Sequence, residues 1–111
     1  LLAPGNYEVL VFEDRTGRSP YLEWLEALDW KTQERIVARV ARMRRGQFGD
    51  CKAISSRLYE LRLFFGPGYR IYFGEEKGRV ILVLYGGDKS TQRTDINRAK
   101  EFWKIYLEDH Q

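Results

Sequence analysis

A chain of 111 residues, 43% hydrophobic and 32% charged, fits one compact domain (1–111) and is too apolar for a disordered segment. Its longest apolar run, Val80–Tyr85, is far shorter than the roughly 20 residues of a membrane helix, so no membrane partner is expected. The net charge of +3 is unevenly spread: residues 1–30 carry 2 basic and 6 acidic side chains, residues 31–74 carry 10 and 3, and residues 75–111 carry 7 of each. The basic middle points to phosphate, nucleic acid or an acidic partner, with a solvated arginine-rich helix face as the plain alternative.

In chain order, Tyr7–Glu13 reads as a first strand between Pro4-Gly5 and Thr16-Gly17. Ser19-Pro20 is an N-cap followed by proline in the first helical position, opening a short helix to about Leu28. Asp29 caps a second helix, Trp30–Arg45, that stops at Gly46 and completes a helix hairpin. Ile36, Val37, Val40 and Met43 share its apolar face, and Arg35, Arg39 and Arg42 lie nearly opposite. Gly46–Ser56 has no clean periodicity and reads as a loop. Three strands follow at Leu58–Phe65, Tyr69–Gly74 and Arg79–Tyr85, the first two joined tightly through Gly66-Pro67-Gly68. Gly86-Gly87 ends the third, and a last helix runs from about Gln92 to Leu107. Trp24, Trp30 and Trp103 fall at helix-face spacing and read as core.

Strand alternation sorts the hairpin by chemistry. One parity of Leu58–Phe65 holds Glu60 and Arg62, and one parity of the next strand holds Arg70 and Tyr72. Pairing these strands gathers all four on one polar sheet surface, either a binding face or a solvated face with cross-strand ion pairs. Metal chemistry has little to work with, because one His at position 110 and one Cys at position 51 cannot build the usual site. The lone Cys51, with no signal-peptide pattern at the start, favours a reducing cytoplasm.

Three blocks are familiar: Leu58–Arg62 (LYELR), Gly66–Tyr72 (GPGYRIY) and Leu84–Lys100 (LYGGDKSTQRTDINRAK). Together they resemble the RelE/ParE toxin superfamily, most nearly its HigB-like addiction-module branch. The resemblance implies an α+β RelE-like fold, a twisted, mainly antiparallel sheet with an N-terminal helix hairpin and a C-terminal helix. It also implies a type II toxin that cleaves messenger RNA on the ribosome without metal or cofactor, by attack of the 2′-hydroxyl, and that is silenced by a cognate helix-turn-helix antitoxin. On this reading Arg62 and Arg70 hold phosphate, Tyr72 stacks on a base or donates a proton, and Lys89 touches phosphate. Lys52, Arg57, Arg35, Arg39 and Arg42 become RNA contacts, while Glu60, Asp88, Gln92 and Asp95 orient the site or cap the last helix. The alternatives are a ParE-like toxin that binds a protein such as gyrase without catalysis, and a degenerate homologue.

Overall fold

The computed structural model describes residues 2–110. Its five strands form one sheet in the order β1-β5-β4-β3-β2, with β1 (Glu8–Val11) parallel to β5 (Val80–Asp88). β2 (Cys51–Ser55), β3 (Leu58–Leu63), β4 (Tyr69–Glu76) and β5 pair antiparallel. Three helices complete a mixed α+β architecture: α1 (Pro20–Glu26), α2 (Trp30–Ala41) and α3 (Gln92–Asp109). No helix among the described residues is long and apolar enough to cross a membrane.

Alternation gives the sheet two apolar faces. Leu61, Leu63, Ile71, Phe73, Ile81 and Val83 meet Leu25 of α1 and Ile36 and Val40 of α2. Leu58, Leu82 and Leu84 meet Trp103 of α3 on the other face. A register shift between Tyr72 and Phe73 skips Leu84 in the pairing. Leu84 and Tyr85 both pack with the α3 cluster as a result, the effect expected of a bulge. Both N-caps form: the Ser19 hydroxyl accepts the Leu22 N–H at 3.1 Å, and the Asp29 carboxylate accepts that of Thr32 at 3.1 Å.

Several expectations need correction. Regular α2 ends at Ala41 rather than Arg45, because Arg42–Arg45 tighten into a 3-10 turn before Gly46. The expected loop Gly46–Ser56 contains β2, an edge strand held on one side by β3. Trp30 is 71% exposed, and Val37 also faces outward. Trp30 is the first residue of α2, beside the Asp29 cap and clear of the sheet. β5 does not stop at Gly86-Gly87. It continues through them to Asp88, because the missing side chains make room for the Trp24 ring on one face and the Asp95 carboxylate on the other.

Candidate functional site

The β3–β4 register, Glu60 opposite Tyr72 and Arg62 opposite Arg70, brings the four polar side chains of the hairpin to one face. That face is not open as the sequence suggests, because the start of α3 lies over it. Glu60 is 1% exposed and Tyr72 fully buried. The Tyr72 hydroxyl donates to Glu60 Oε2 at 3.1 Å, and Gln92 Nε2 donates to the same oxygen at 2.8 Å. Arg62 Nε donates to Glu60 Oε1 at 3.2 Å. Arg70, 9% exposed, keeps its Nε 4.0 Å from Oε1 with no hydrogen-bond partner, while its Nη1 donates to the Gly68 and Tyr69 carbonyls at 3.3 and 3.5 Å. Burial first, and then the Glu60 charge, push the Tyr72 hydroxyl pKa upward, so it stays protonated as a donor inside the network. Its enclosed ring offers no face to a base.

The other orienting residues sit at the turn into α3. The Asp88 carboxylate accepts the Ser90 N–H at 2.8 Å, and the Thr91 hydroxyl donates to Asp95. Lys89 is exposed on this turn. Burial raises the Asp95 carboxyl above its ordinary 3.8, with the Thr91 hydrogen bond opposing the rise. The native state then binds this proton more tightly than the unfolded chain does, so Asp95 costs stability as pH rises through the raised value. Relative to an Asp95→Asn variant, the wild-type protein is expected to lose stability from about pH 4 upward. Urea midpoints of both proteins across the acidic range check this, and a constant gap between them would contradict it.

A second cluster forms beside the network. A groove of about 420 Å³ runs between α2 and the end of β3, where β2 no longer covers the edge. Arg35, Arg39 and Arg42 line one side; Arg62, Phe64 and Phe65 line the other, with Asp50 at the rim. The Arg35 guanidinium lies 3.8 Å from the Phe65 ring centroid, and Arg39 Nη2 donates to the Phe48 carbonyl at 3.1 Å. Phe64 is 79% exposed. Arg62 belongs to both clusters, touching Glu60 while lining the groove. Lys52 on β2 and Arg57 in the β2–β3 turn are exposed and line no part of it. Phe64 shares the strand parity of Glu60 and Arg62, but for Phe64 and Phe65 the one signal of a binding role is an aromatic pair directly before a tight turn. Among the described residues, no group of three or more His, Cys, Asp or Glu is placed to hold a metal ion.

Comparison with known proteins revises the identity inferred from the sequence blocks. Residues 23–104 match the family described as Phage derived protein Gp49-like (DUF891), a span that contains all three blocks. A Haemophilus influenzae protein whose printed name is "Uncharacterized protein" is 42% identical over 78 residues, covering 69% of this chain and 79% of that relative. Membership of the RelE/ParE superfamily, in its HigB-like branch, is thereby corrected. The addiction-module toxin, the ribosome-dependent mRNA endoribonuclease and the ParE-like alternative fall with it, since neither description carries a toxin or an enzymatic activity. The chain belongs to the Gp49-like family of phage-derived proteins.

Proposed function

We propose that the protein is a binding module for single-stranded nucleic acid, seated at the arginine groove and requiring no bond-breaking step. One observation carries this reading: four arginines and two phenylalanines, one of them almost fully exposed, converge on a single groove. Guanidinium groups take phosphate oxygens in a bidentate fork. An exposed ring stacks on any base, worth about 1–3 kcal/mol per base. Of the partners expected from the sequence, a messenger strand has the chemistry this groove suits. An acidic protein segment would use the arginines but leave Phe64 without a flat partner. A cytoplasmic setting, expected from the lone Cys51, is compatible with such a ligand.

Fluorescence anisotropy with short labelled single strands and the matching duplex tests the reading. Binding should be tighter to the single strand and weaken with salt, by roughly 0.7 in log K per log salt for each phosphate neutralised. Arg42→Ala should reduce that slope by about one contact's worth across all sequences. Phe64→Ala should weaken single-strand binding about tenfold while leaving the slope unchanged. Equal affinity for duplex and single strand, or variants that bind as tightly as the wild type, would overturn the proposal.

A further inference from the structure

The sheet has a second opening, away from the arginine groove. β1 pairs only with Val80–Val83, while β5 runs on to Asp88, so the last residues of β5 have no strand beside them on that side. The chain leaves β1 through a turn at Asp14–Arg18 before α1 begins. A cleft of about 590 Å³ remains at this edge, between α1 on one face of the sheet and α3 on the other. Its size falls within the roughly 300–1,000 Å³ of small-molecule sites. No residue that lines it lines the arginine groove.

The walls are aromatic. Trp24 comes from α1, and its ring lies against Gly86, where a Cβ would sit 2.3 Å from it. Tyr85 and Phe102 form the other wall, edge to face with centroids 5.7 Å apart. All three rings are half-buried.

The charges are unequally engaged. Arg18 pairs with Glu23 at 2.6 Å. Asp14 Oδ1 accepts the Thr16 N–H, the Thr16 hydroxyl and the Arg18 N–H, which leaves its Oδ2 with no hydrogen bond among the described residues. Arg98 has no carboxylate within ion-pair distance among those residues. Its hydrogen bond is a long one, 3.4 Å from Nη1 to the Tyr85 hydroxyl. The cleft therefore combines flat apolar walls, one cation ready for an anion, and carboxylate oxygens open to hydroxyl donors.

We propose that this cleft binds a nucleoside monophosphate, with the base between Trp24 and the Tyr85–Phe102 wall, the phosphate on Arg98, and the sugar hydroxyls donating to Asp14. A single phosphate is favoured over a triphosphate because Asp14 and Glu23 would repel further negative charge. The same chemistry is offered by a free mononucleotide and by the 5′-phosphorylated end of a strand.

Titration with AMP, followed by NMR, separates the outcomes. AMP should shift the Trp24 indole and the Arg98 side chain, and Arg98→Ala, at an exposed position, should weaken it roughly tenfold. Adenosine should bind the wild type roughly tenfold more weakly than AMP does and should be indifferent to the substitution. A 5′-phosphorylated strand weakened by Arg98→Ala as much as AMP is assigns the site to strand ends; a strand unaffected by it assigns the site to free nucleotide. The proposal is overturned by an absence of response at millimolar AMP, by shifts centred on Phe64 and Phe65 instead, by inorganic phosphate binding as well as AMP, or by AMP binding unchanged in Arg98→Ala.

Discussion

Replacing Glu60 with alanine is expected to lower stability by about 3–5 kcal/mol, the cost of breaking a buried ion pair by removing one partner. The carboxylate accepts from Tyr72, Gln92 and Arg62 and is the negative charge nearest the buried Arg70 guanidinium. Truncation would leave Arg70 without a countercharge and the Tyr72 and Gln92 donors without an acceptor, in a place water reaches poorly. For a domain whose total stability is about 5–15 kcal/mol, that is a large share. Glu60→Gln should cost less, because its carbonyl still accepts one of the donors while the charge is lost. The mechanism has its own check. Glu60→Leu combined with Arg70→Met should be more stable than Glu60→Leu alone, because the pair as a whole is replaceable by apolar groups whereas half of it is not. Urea unfolding of the four variants measures this. A loss under about 1 kcal/mol for Glu60→Ala, or no recovery in the double variant, would show that the network is hydrated rather than closed.

This network also marks where the sequence stops being legible. A period of two was enough to assign Glu60, Arg62, Arg70 and Tyr72 to one face, since parity is a local property of the strand. Burial of that face is not local: it depends on α3 landing there and on Gln92 reaching back across 32 positions to the carboxylate. β2 reads as loop in the sequence for a related reason. Its five residues, Cys51–Ser55, include an exposed Lys52, and only the ladder to β3 makes them a strand. The groove needs three separate segments, α2, the end of β3 and the residues just before the tight turn, and no motif spans them. Family identity failed differently. Gly66 and Gly68 have φ of 56° and 83°, which a side chain would resist, and the alternation after them is what any half-buried strand shows. The Gly66–Tyr72 block thus reports what a hairpin requires more than what it does, whereas the full span from 23 to 104 matches the Gp49-like family.

In the structure Gly74 and Gly86 are each a glycine inside a strand, yet alanine is expected to affect them unequally. A Cβ at Gly74 would sit 2.3–2.6 Å from three atoms of the Trp103 ring. That ring is 5% exposed, stacked on Tyr106 at an interplanar angle of 5°, and it donates to the Ser56 carbonyl at 3.4 Å, so it has nowhere to retreat. A Cβ at Gly86 would meet Trp24 just as closely, but Trp24 is only half-buried and borders the open cleft. Overpacking typically costs about 1–3 kcal/mol, against a gain of about 0.4–1 kcal/mol from a stiffer unfolded chain. Gly74→Ala should therefore lose about 2–3 kcal/mol, the upper end of the range, and Gly86→Ala about 1 kcal/mol or less. The cause can be isolated with Trp103→Phe. The smaller ring costs stability alone, but combined with Gly74→Ala it should cost less than the two changes summed, with a coupling of about 0.5–3 kcal/mol. Additive losses would mean that the Gly74 penalty comes from the strand backbone rather than the ring. Equal losses at Gly74 and Gly86 would mean that the room beside Trp24 is not usable, and a cleft that cannot accommodate a small shift of its own wall would have to accept its ligand as a rigid slot.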